Sequence, residues 1–230
     1  MNANSFGIIF DIDGTMVNNT PYHRNAWFEL CRRYSIPLDH TSYHQKIHAR
    51  SNDQIVPALF GPGVDEAFIY KIELEKETIY RETYKPVMQE TPGLVSFLEQ
   101  LHQESIPCAA ASNSPKPNVD FILDELNIRR YFKTVTFRDL VSVGKPHPEL
   151  FLKAAEGLGI TPQKCLVFED SASGFKAARA AQMPYIAITY CSDPHELTEA
   201  YDAAAVCDDF TGLTPARLAE VFKKQITTNR

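Results

Sequence analysis

The chain has 230 residues, 44% of them hydrophobic, and a formal charge of −6 at neutral pH. That length is enough to bury a full core as one large domain, or as one domain with a modest insertion. The acidic balance and the lack of any run of like charge argue against a nucleic-acid footprint and a polybasic membrane patch, and no window approaches the roughly 20 apolar residues of a membrane span. The expected partner is therefore a small molecule. The expected setting is the cytoplasm, because the five cysteines (Cys31, Cys108, Cys165, Cys191 and Cys207) are scattered without CxxC spacing and read as reduced thiols.

In chain order, the apolar run Phe6 to Phe10 reads as a short buried strand, ended by Asp11, Asp13 and Gly14, which are poor strand formers. Side chains alternate along extended backbone, so Asp11 and Asp13 point the same way at the strand's C-terminal end. From Pro21 to about Tyr84 the texture turns helical. AWFELCRRY puts Trp27, Leu30, Cys31 and Tyr34 on one face, and DEAFIYKIELEKETIYRETY aligns Phe68, Ile72, Glu75 and Ile79 with a mostly charged reverse side.

From Thr91 onward helices and strands alternate. Thr91 is expected to cap a helix over TPGLVSFLEQLHQ with Pro92 in its first turn, followed by a strand from Ile106 to Ser112. A third strand is expected over Thr134 to Phe137, then a helix over HPELFLKAAEGLG stopped by Gly159, then a fourth strand from Lys164 to Phe168 running into Glu169 and Asp170. The helix SASGFKAARAAQ, strands Pro184 to Thr189 and Ala203 to Cys207, and the helix GLTPARLAEVFKKQ complete the series. Such alternation predicts an α/β fold: a parallel sheet covered by helices on both faces, with right-handed crossovers.

In an open parallel sheet, ligands bind beyond the carboxyl ends of the strands, at a switch in strand order. There the sequence puts Asp11 and Asp13, Ser112 and Asn113, and Glu169 and Asp170, with Lys145 in the loop GKPHPE ahead of a helix. Acids brought close repel one another unless a cation intervenes, and all-oxygen ligands with room for water suit Mg²⁺ rather than zinc. A hydroxyl at Ser112 and an ammonium at Lys145 beside such a cation make a place for a phosphate dianion. One carboxylate, Asp11, can then attack phosphorus while the second, Asp13, protonates the leaving group and later deprotonates water.

At these residues the chain resembles the haloacid dehalogenase superfamily of phosphotransferases. The likeness rests on DIDGT (Asp11 to Thr15), Ser112 in AASNS, Lys145 in GKPHPE and the acid pair in FEDSASG (Phe168 to Gly174), motifs that span the whole core in order. The resemblance implies a Rossmann-like core, residues 1–16 and 88–230, with an all-helical cap, residues 17–87, that opens to admit substrate and closes against bulk water. It implies that Asp11 is the nucleophile and a Mg²⁺ ligand, and that Asp13 is the general acid/base with its backbone carbonyl on the metal. Ser112 and Lys145 would bind the phosphate, and Asp170, helped by Glu169, would complete the metal ligands. The acid at Asp13 counts against dehalogenases and phosphonate hydrolases of the superfamily, which lack one there.

Within the superfamily the chain is most similar to the β-phosphoglucomutase-like phosphatase group. NNTPYHRNAW resembles the mutase stretch with a His and a Trp at this spacing, which implies His23 at the junction of core and cap; Arg50 in HARSND and Lys76 in LEKETIY resemble cap residues that hold a non-transferring phosphate. Thr15 and Asn113 depart from the mutases, which generally have Val and a small residue there, and are commoner in phosphatases. The expectation is thus a monomeric, Mg²⁺-dependent phosphatase that hydrolyses a small phosphorylated metabolite, a sugar phosphate, through an aspartyl phosphate, with Asn113 among the substrate contacts. A β-phosphoglucomutase-type isomerase is the alternative. A non-enzymatic phospho-aspartate receiver is remote, because a compact switch has no use for the helical insertion.

Plainer readings compete at several positions. His40, His44 and His48 align at helical spacing, yet no acid or cysteine completes a ligand set, so a solvated helix explains them. Arg50 alone reads as a surface charge, Lys76 as the partner of Glu73 or Glu77, and His23 as a packed polar residue. Glu169 has the reading of an acid that only orients the metal site, and His147 that of a helix N-terminus.

Overall fold

The computed structural model describes residues 6–47, 52–191 and 197–228. Six strands form one parallel sheet: β1 (Gly7–Phe10), β2 (Cys108–Ala111), β3 (Phe132–Thr136), β4 (Cys165–Glu169), β5 (Tyr185–Ile188) and β6 (Ala205–Cys207), in the order β3-β2-β1-β4-β5-β6. β1, β2, β4 and β5 are buried along their whole length, which is why they read as unbroken apolar runs rather than alternating ones. Phe10 lies opposite Ala110 on β2 and Phe168 on β4, so the chain turns away from the sheet at the same level on all three strands. The first three strands step outward to one side of β1 and β4 starts on the other, which opens a crevice beyond the carboxyl ends of β1 and β4.

Two compact units divide the chain: Met1–Asn18 with Gln89–Arg230, and Asn19–Met88. The second holds α1 (Thr20–Arg33), α2 (His40–Lys46), α3 (Asn52–Phe60) and α4 (Glu66–Tyr84). With the sheet go α5 (Leu94–Gln103), α6 (Lys116–Glu125), α7 (Glu149–Leu158), α8 (Ala172–Ala180) and α9 (Pro215–Thr228). Among the described residues no helix is long and apolar enough to cross a membrane.

The two faces of the sheet are packed differently. On one, Ile9, Ala109, Ala111, Val167 and Ala187 meet Leu150, Phe151 and Ala154 of α7 and Phe175 and Ala178 of α8. Small residues on β2 let α7 approach closely. On the other, Phe10 stacks on Phe168 at 5.0 Å and meets Phe97 of α5 edge-on at 6.2 Å, with Phe210 at 5.9 Å and Phe132 at 6.0 Å. These offset and edge-on contacts are the arrangements that ring quadrupoles favour.

Several element ends differ from expectation, β3 for one spanning Phe132–Thr136 rather than Thr134 to Phe137. α5 begins at Leu94, not Thr91, because Gly93 sits at φ +81° as its N-cap, with the backbone of Phe210 and Thr211 pressed so close that a Cβ would lie 2.6 Å from the Thr211 nitrogen. Thr91 instead donates its hydroxyl to the Thr15 carbonyl and its N–H to the Met16 carbonyl, both at 2.7 Å. α1 starts well before Ala26, at Thr20, with Pro21 tolerated in the first turn where its missing N–H costs nothing. α9 starts at Pro215 rather than at Gly212.

In the helical unit α1 buries Ala26, Trp27, Leu30 and Cys31, and α4 buries Ile72, Ile79, Tyr80 and Tyr84. Lys76 and Glu77 are buried too, and Glu75, expected on the apolar stripe, accepts a 2.8 Å bond from the Tyr34 hydroxyl instead. The reason is that α4 packs against α1 and also against α3, so its covered arc is wider than one stripe. Lys76 and Glu77 bond each other at 2.8 Å, which offsets the cost of burying either charge.

Replacing Phe10 tests the aromatic layer, since it is fully buried at its centre. Phe10→Ala is expected to lower unfolding free energy by about 3–5 kcal/mol, read as a lower urea midpoint with the slope unchanged; a loss under about 1 kcal/mol would mean that the layer closes over the gap.

Candidate active site

The site starts where β1 runs out. The Asp11 N–H donates to the Phe168 carbonyl at 3.0 Å, which carries the β1–β4 ladder one step beyond β1 and brings Asp11 beside Glu169. The chain then turns tightly: Gly14 N–H reaches the Val17 carbonyl and Met16 N–H the Ile12 carbonyl, both at 2.9 Å. Gly14 has φ +88°, and a Cβ there would lie 2.0 Å from Asp170 Oδ2. Glycine is thus required twice, for the backbone conformation and for the close approach of the β1 turn to the β4 loop. Thr15 Oγ1 donates to Asp170 Oδ1 at 3.1 Å and sets that carboxylate from the same turn.

Lys145 enters from the loop before α7. Its Nζ lies 2.5 Å from Asp11 Oδ1 and 2.6 Å from Glu169 Oε1, and 4.6 Å from the centroid of the Phe151 ring. Asn113, expected among the substrate contacts, holds the Lys145 backbone at both ends: its Oδ1 accepts from Lys145 N–H at 2.9 Å and its Nδ2 donates to the Lys145 carbonyl at 3.2 Å. Glu169 is similarly committed. Its Oε2 accepts from the Asp170 and Ser171 N–H groups at 2.8 Å and from Ser171 Oγ at 3.0 Å. Gly174 makes room for it, since a Cβ there would fall 1.8 Å from its carboxylate. Both Glu169 oxygens are thus engaged, one by Lys145 and the other by the β4 loop, and one of them still lies within 4.8 Å of an oxygen of Asp11 and of Asp170.

Asp13 faces the β2 loop. Its Oδ2 accepts from Ser112 Oγ at 2.6 Å and from Ser114 Oγ at 2.8 Å, while Ser112 Oγ itself accepts from Ser114 N–H at 2.8 Å. The Ser112 hydroxyl proton is therefore directed at Asp13.

Electrostatically the cluster is overfull. Asp11, Glu169 and Asp170 each offer an oxygen within 4.8 Å of the others, all three buried, against the single ammonium of Lys145. Burial pushes the Asp11 carboxyl up to about 8, with the Glu169 and Asp13 charges adding to it and Lys145 opposing it. Burial, then the Glu169 and Asp11 charges, raises Asp170 well above the usual carboxylate range. Burial works against the charge on Lys145, but Asp11 and Glu169 more than offset it and hold the ammonium above its ordinary value. Asp11 Oδ2 is buried with no hydrogen-bond partner. An unsatisfied buried carboxylate oxygen is costly, and an all-oxygen donor set with excess negative charge fits a hard divalent cation such as Mg²⁺.

The structure thus gathers Asp11, Asp13, Ser112, Lys145, Glu169 and Asp170 at one end of the sheet. His23 and Lys76 meet each other inside the helical unit: Lys76 Nζ is 2.8 Å from His23 Nδ1 and from Glu77 Oε1, and the His23 ring stacks on Tyr80 at 3.8 Å. Arg50 and His48 lie outside the described residues. Sequence reasoning missed Ser114, Thr15 and Ser171 as partners of the acids. A signal for Ser114 existed in AASNS, where a second serine two residues after Ser112 faces the same side if the chain stays extended.

The sequence profile of the haloacid dehalogenase-like hydrolases matches residues 7–182. The chain is 32% identical to a phosphorylated carbohydrates phosphatase of Thermotoga maritima, over 86% of this chain and 93% of that one. It is 31% identical to a fructose-1-phosphate phosphatase of Escherichia coli, over 77% of this chain and 93% of the relative. Its fold superposes on the crystal structure of a family IA, variant 3 hydrolase from Entamoeba histolytica with a TM-score of 0.85 at 27% identity, covering 95% and 99% of the two chains.

The raised carboxyls make a thermal test possible. The folded cation-free protein holds protons on Asp11 and Asp170 that the unfolded chain has released above about pH 4, so it binds more protons than the unfolded state and loses stability as pH rises toward 8. A cation competes with those protons. Millimolar Mg²⁺ is expected to raise the melting temperature over an EDTA control, and more at pH 8 than at pH 6; no shift, or the larger shift at pH 6, would exclude a cation at this cluster.

Proposed function

Because the chain belongs to the haloacid dehalogenase-like hydrolases, we propose that it is a Mg²⁺-dependent phosphatase that hydrolyses a small sugar phosphate through an aspartyl phosphate on Asp11. The observation that carries this reading is the Asp11 carboxylate: buried, one oxygen drawn to Lys145 and the other without a donor, with Asp13 on the same turn. A nucleophile needs a lone pair not already engaged, and a partner acid needs to be close but separately held.

In the first half of the reaction an Asp11 oxygen forms a bond to phosphorus. The bond from phosphorus to the sugar oxygen breaks, its electron pair stays on that oxygen, and Asp13 supplies the proton. In the second half Asp13 takes a proton from water as the water oxygen bonds to phosphorus, and the acyl phosphate bond breaks with its electron pair returning to Asp11. Lys145 orients Asp11 and offers positive charge to the phosphoryl oxygens, as Ser112 offers a hydroxyl once its proton turns from Asp13. Asp11 and Asp170, with the Asp13 carbonyl, would hold Mg²⁺, and Glu169 would fix Lys145 and the Asp170 loop behind them. When bound, the ion supplies charge neutralisation of the phosphoryl oxygens.

The names of the two similar phosphatases support a sugar phosphate as the substrate class. The mutase alternative needs a fixed cation for a second phosphate. Of the two residues resembling such a holder, Arg50 lies outside the described residues and Lys76 is already paired with the buried Glu77, which favours hydrolysis.

The test is a Mg²⁺ assay on fructose 1-phosphate, glucose 6-phosphate, phosphoglycolate and β-glucose 1-phosphate with a bisphosphate primer, following free phosphate and glucose 6-phosphate. Phosphate release is expected, and Asp11→Asn is expected to lower it at least about a thousandfold, consistent with loss of covalent catalysis. Glucose 6-phosphate formed from the 1-phosphate without free phosphate would make the protein an isomerase instead.

A further inference from the structure

We propose that Asn113 is the positioning residue for Lys145, tying the loop that carries the ammonium to the end of β2 that carries Ser112, so that the two phosphate-binding groups keep one separation. The inference rests on the reading of Lys145 and Ser112 as phosphate binders. Its structural basis is a pair of bonds from one carboxamide to one residue's backbone: Asn113 Oδ1 accepts from Lys145 N–H at 2.9 Å, and Asn113 Nδ2 donates to the Lys145 carbonyl at 3.2 Å.

Lys145 and Pro146 are the central residues of a turn closed by the His147 N–H on the Gly144 carbonyl at 3.0 Å. That closing bond uses neither polar backbone group of Lys145, so both need partners from outside the turn. A carboxamide carries an acceptor and a donor side by side and can meet both at once. Gly144 lets it come close, since a Cβ there would fall 2.5 Å from Asn113 Oδ1. Asn113 in turn leaves from backbone held on each side: the Ser112 N–H donates to the Thr136 carbonyl at 3.0 Å, and the Ser114 carbonyl accepts from the Arg138 N–H at 3.1 Å.

The rest of the loop is held by other groups. The Glu149 carboxylate accepts from the Ser142 and Val143 N–H groups at 2.9 and 3.0 Å, and Arg138 Nη1 donates to the Val141 carbonyl at 2.8 Å. Asn113 therefore sets the peptide from which the lysine side chain leaves, rather than the course of the loop. Its carboxamide lies on an exposed residue, whereas the Lys145 side chain is buried against Asp11, Glu169 and, at 3.3 Å, the Ala111 carbonyl. When an Asp11 oxygen bonds to phosphorus, that carboxylate gives up its charge, and the ammonium has to serve the phosphoryl oxygens from the same spot. A lysine head on a flexible four-carbon stem keeps its place better when the root of the stem is fixed, and charge-assisted bonds to phosphate depend on that placement.

The experiment compares Asn113→Ala and Asn113→Leu with the wild type in Mg²⁺, on p-nitrophenyl phosphate and on fructose 1-phosphate or glucose 6-phosphate, whichever the wild type hydrolyses faster. Because Lys145 serves the phosphoryl group that all these substrates share, each variant is expected to lose about tenfold in kcat/KM on both substrates, with a melting temperature within about 3 °C of the wild type. Leucine has nearly the size of asparagine without its polar atoms, so recovery in Asn113→Leu would mean that filled space alone matters and would overturn the assignment. A loss confined to the sugar phosphate, which would make Asn113 a contact to the sugar, no loss at all, or a larger fall in melting temperature would overturn it too. A double-mutant cycle, read as calorimetric affinity for inorganic phosphate in Mg²⁺, asks whether Asn113 acts through Lys145. Asn113→Ala is expected to weaken phosphate binding about tenfold by itself and under about twofold in a Lys145→Met background; the same factor in both backgrounds would defeat the proposal. If Lys145→Met binds phosphate as tightly as the wild type, the reading of Lys145 as a phosphate binder fails, whatever Asn113 does. If it binds none, the substrate comparison, the leucine variant and the melting temperatures decide.

Discussion

Three buried carboxylates around one ammonium are the constraint on which the rest of the site depends. Bringing Asp11, Glu169 and Asp170 within 4.8 Å of one another, against Lys145 alone, leaves the folded chain with more negative charge than it can neutralise. Such a cluster persists only if the surrounding fold holds it in place and a proton or a cation relieves it. The supports are visible. Asn113 fixes the backbone of the lysine, Ser171 and two backbone N–H groups fix Glu169, and Thr15 fixes Asp170. Each acid is steered by a different loop, so the cluster is assembled by the sheet rather than by any local segment.

The packing beneath explains how such short strands hold the loops steady. β1 and β4 contribute Phe10 and Phe168 to an aromatic layer shared with Phe97 and Phe210, while their alternate residues, Ile9 and Val167, lie under α7 and α8. Both faces of the two strands that carry the acids are therefore closed by side chains, and the strands cannot slip without exposing one layer or the other. Gly14 and Gly174 serve the same end at the loops, because each gives the space that an acid carboxylate fills.

Charge is buried in the helical unit as well, and it is handled by pairing. Lys76, Glu77 and His23 form a compact group with the Tyr80 ring against His23 and the Trp27 ring 5.7 Å from the ammonium. Because an ammonium can only donate, its 2.8 Å contact makes His23 Nδ1 an acceptor and puts the ring proton on Nε2. A helix that looks amphipathic with a charged back can thus bury part of that back, provided opposite charges fall next to each other on it.

The sequence by itself determined the α/β class and the strand ends at which acids, hydroxyls and a lysine collect, because apolar runs and helical periodicity are local properties of the chain and the polar breaks after them are unambiguous. It also marked Gly14 as one of the residues that end the first strand. Only the tertiary structure decided which atoms those residues use. Lys145 reaches Asp11 and Glu169 across 134 and 24 residues of chain, and Thr15 reaches Asp170 across 155. Glu169 is shared between Lys145 and its own loop, and Asn113 clamps the Lys145 backbone. The burial of Lys76 follows from α4 having neighbours on two sides, which periodicity does not reveal. Side-chain partnerships of this kind depend on strand order and loop approach, on distances between segments far apart in the chain, and a local pattern carries no record of them.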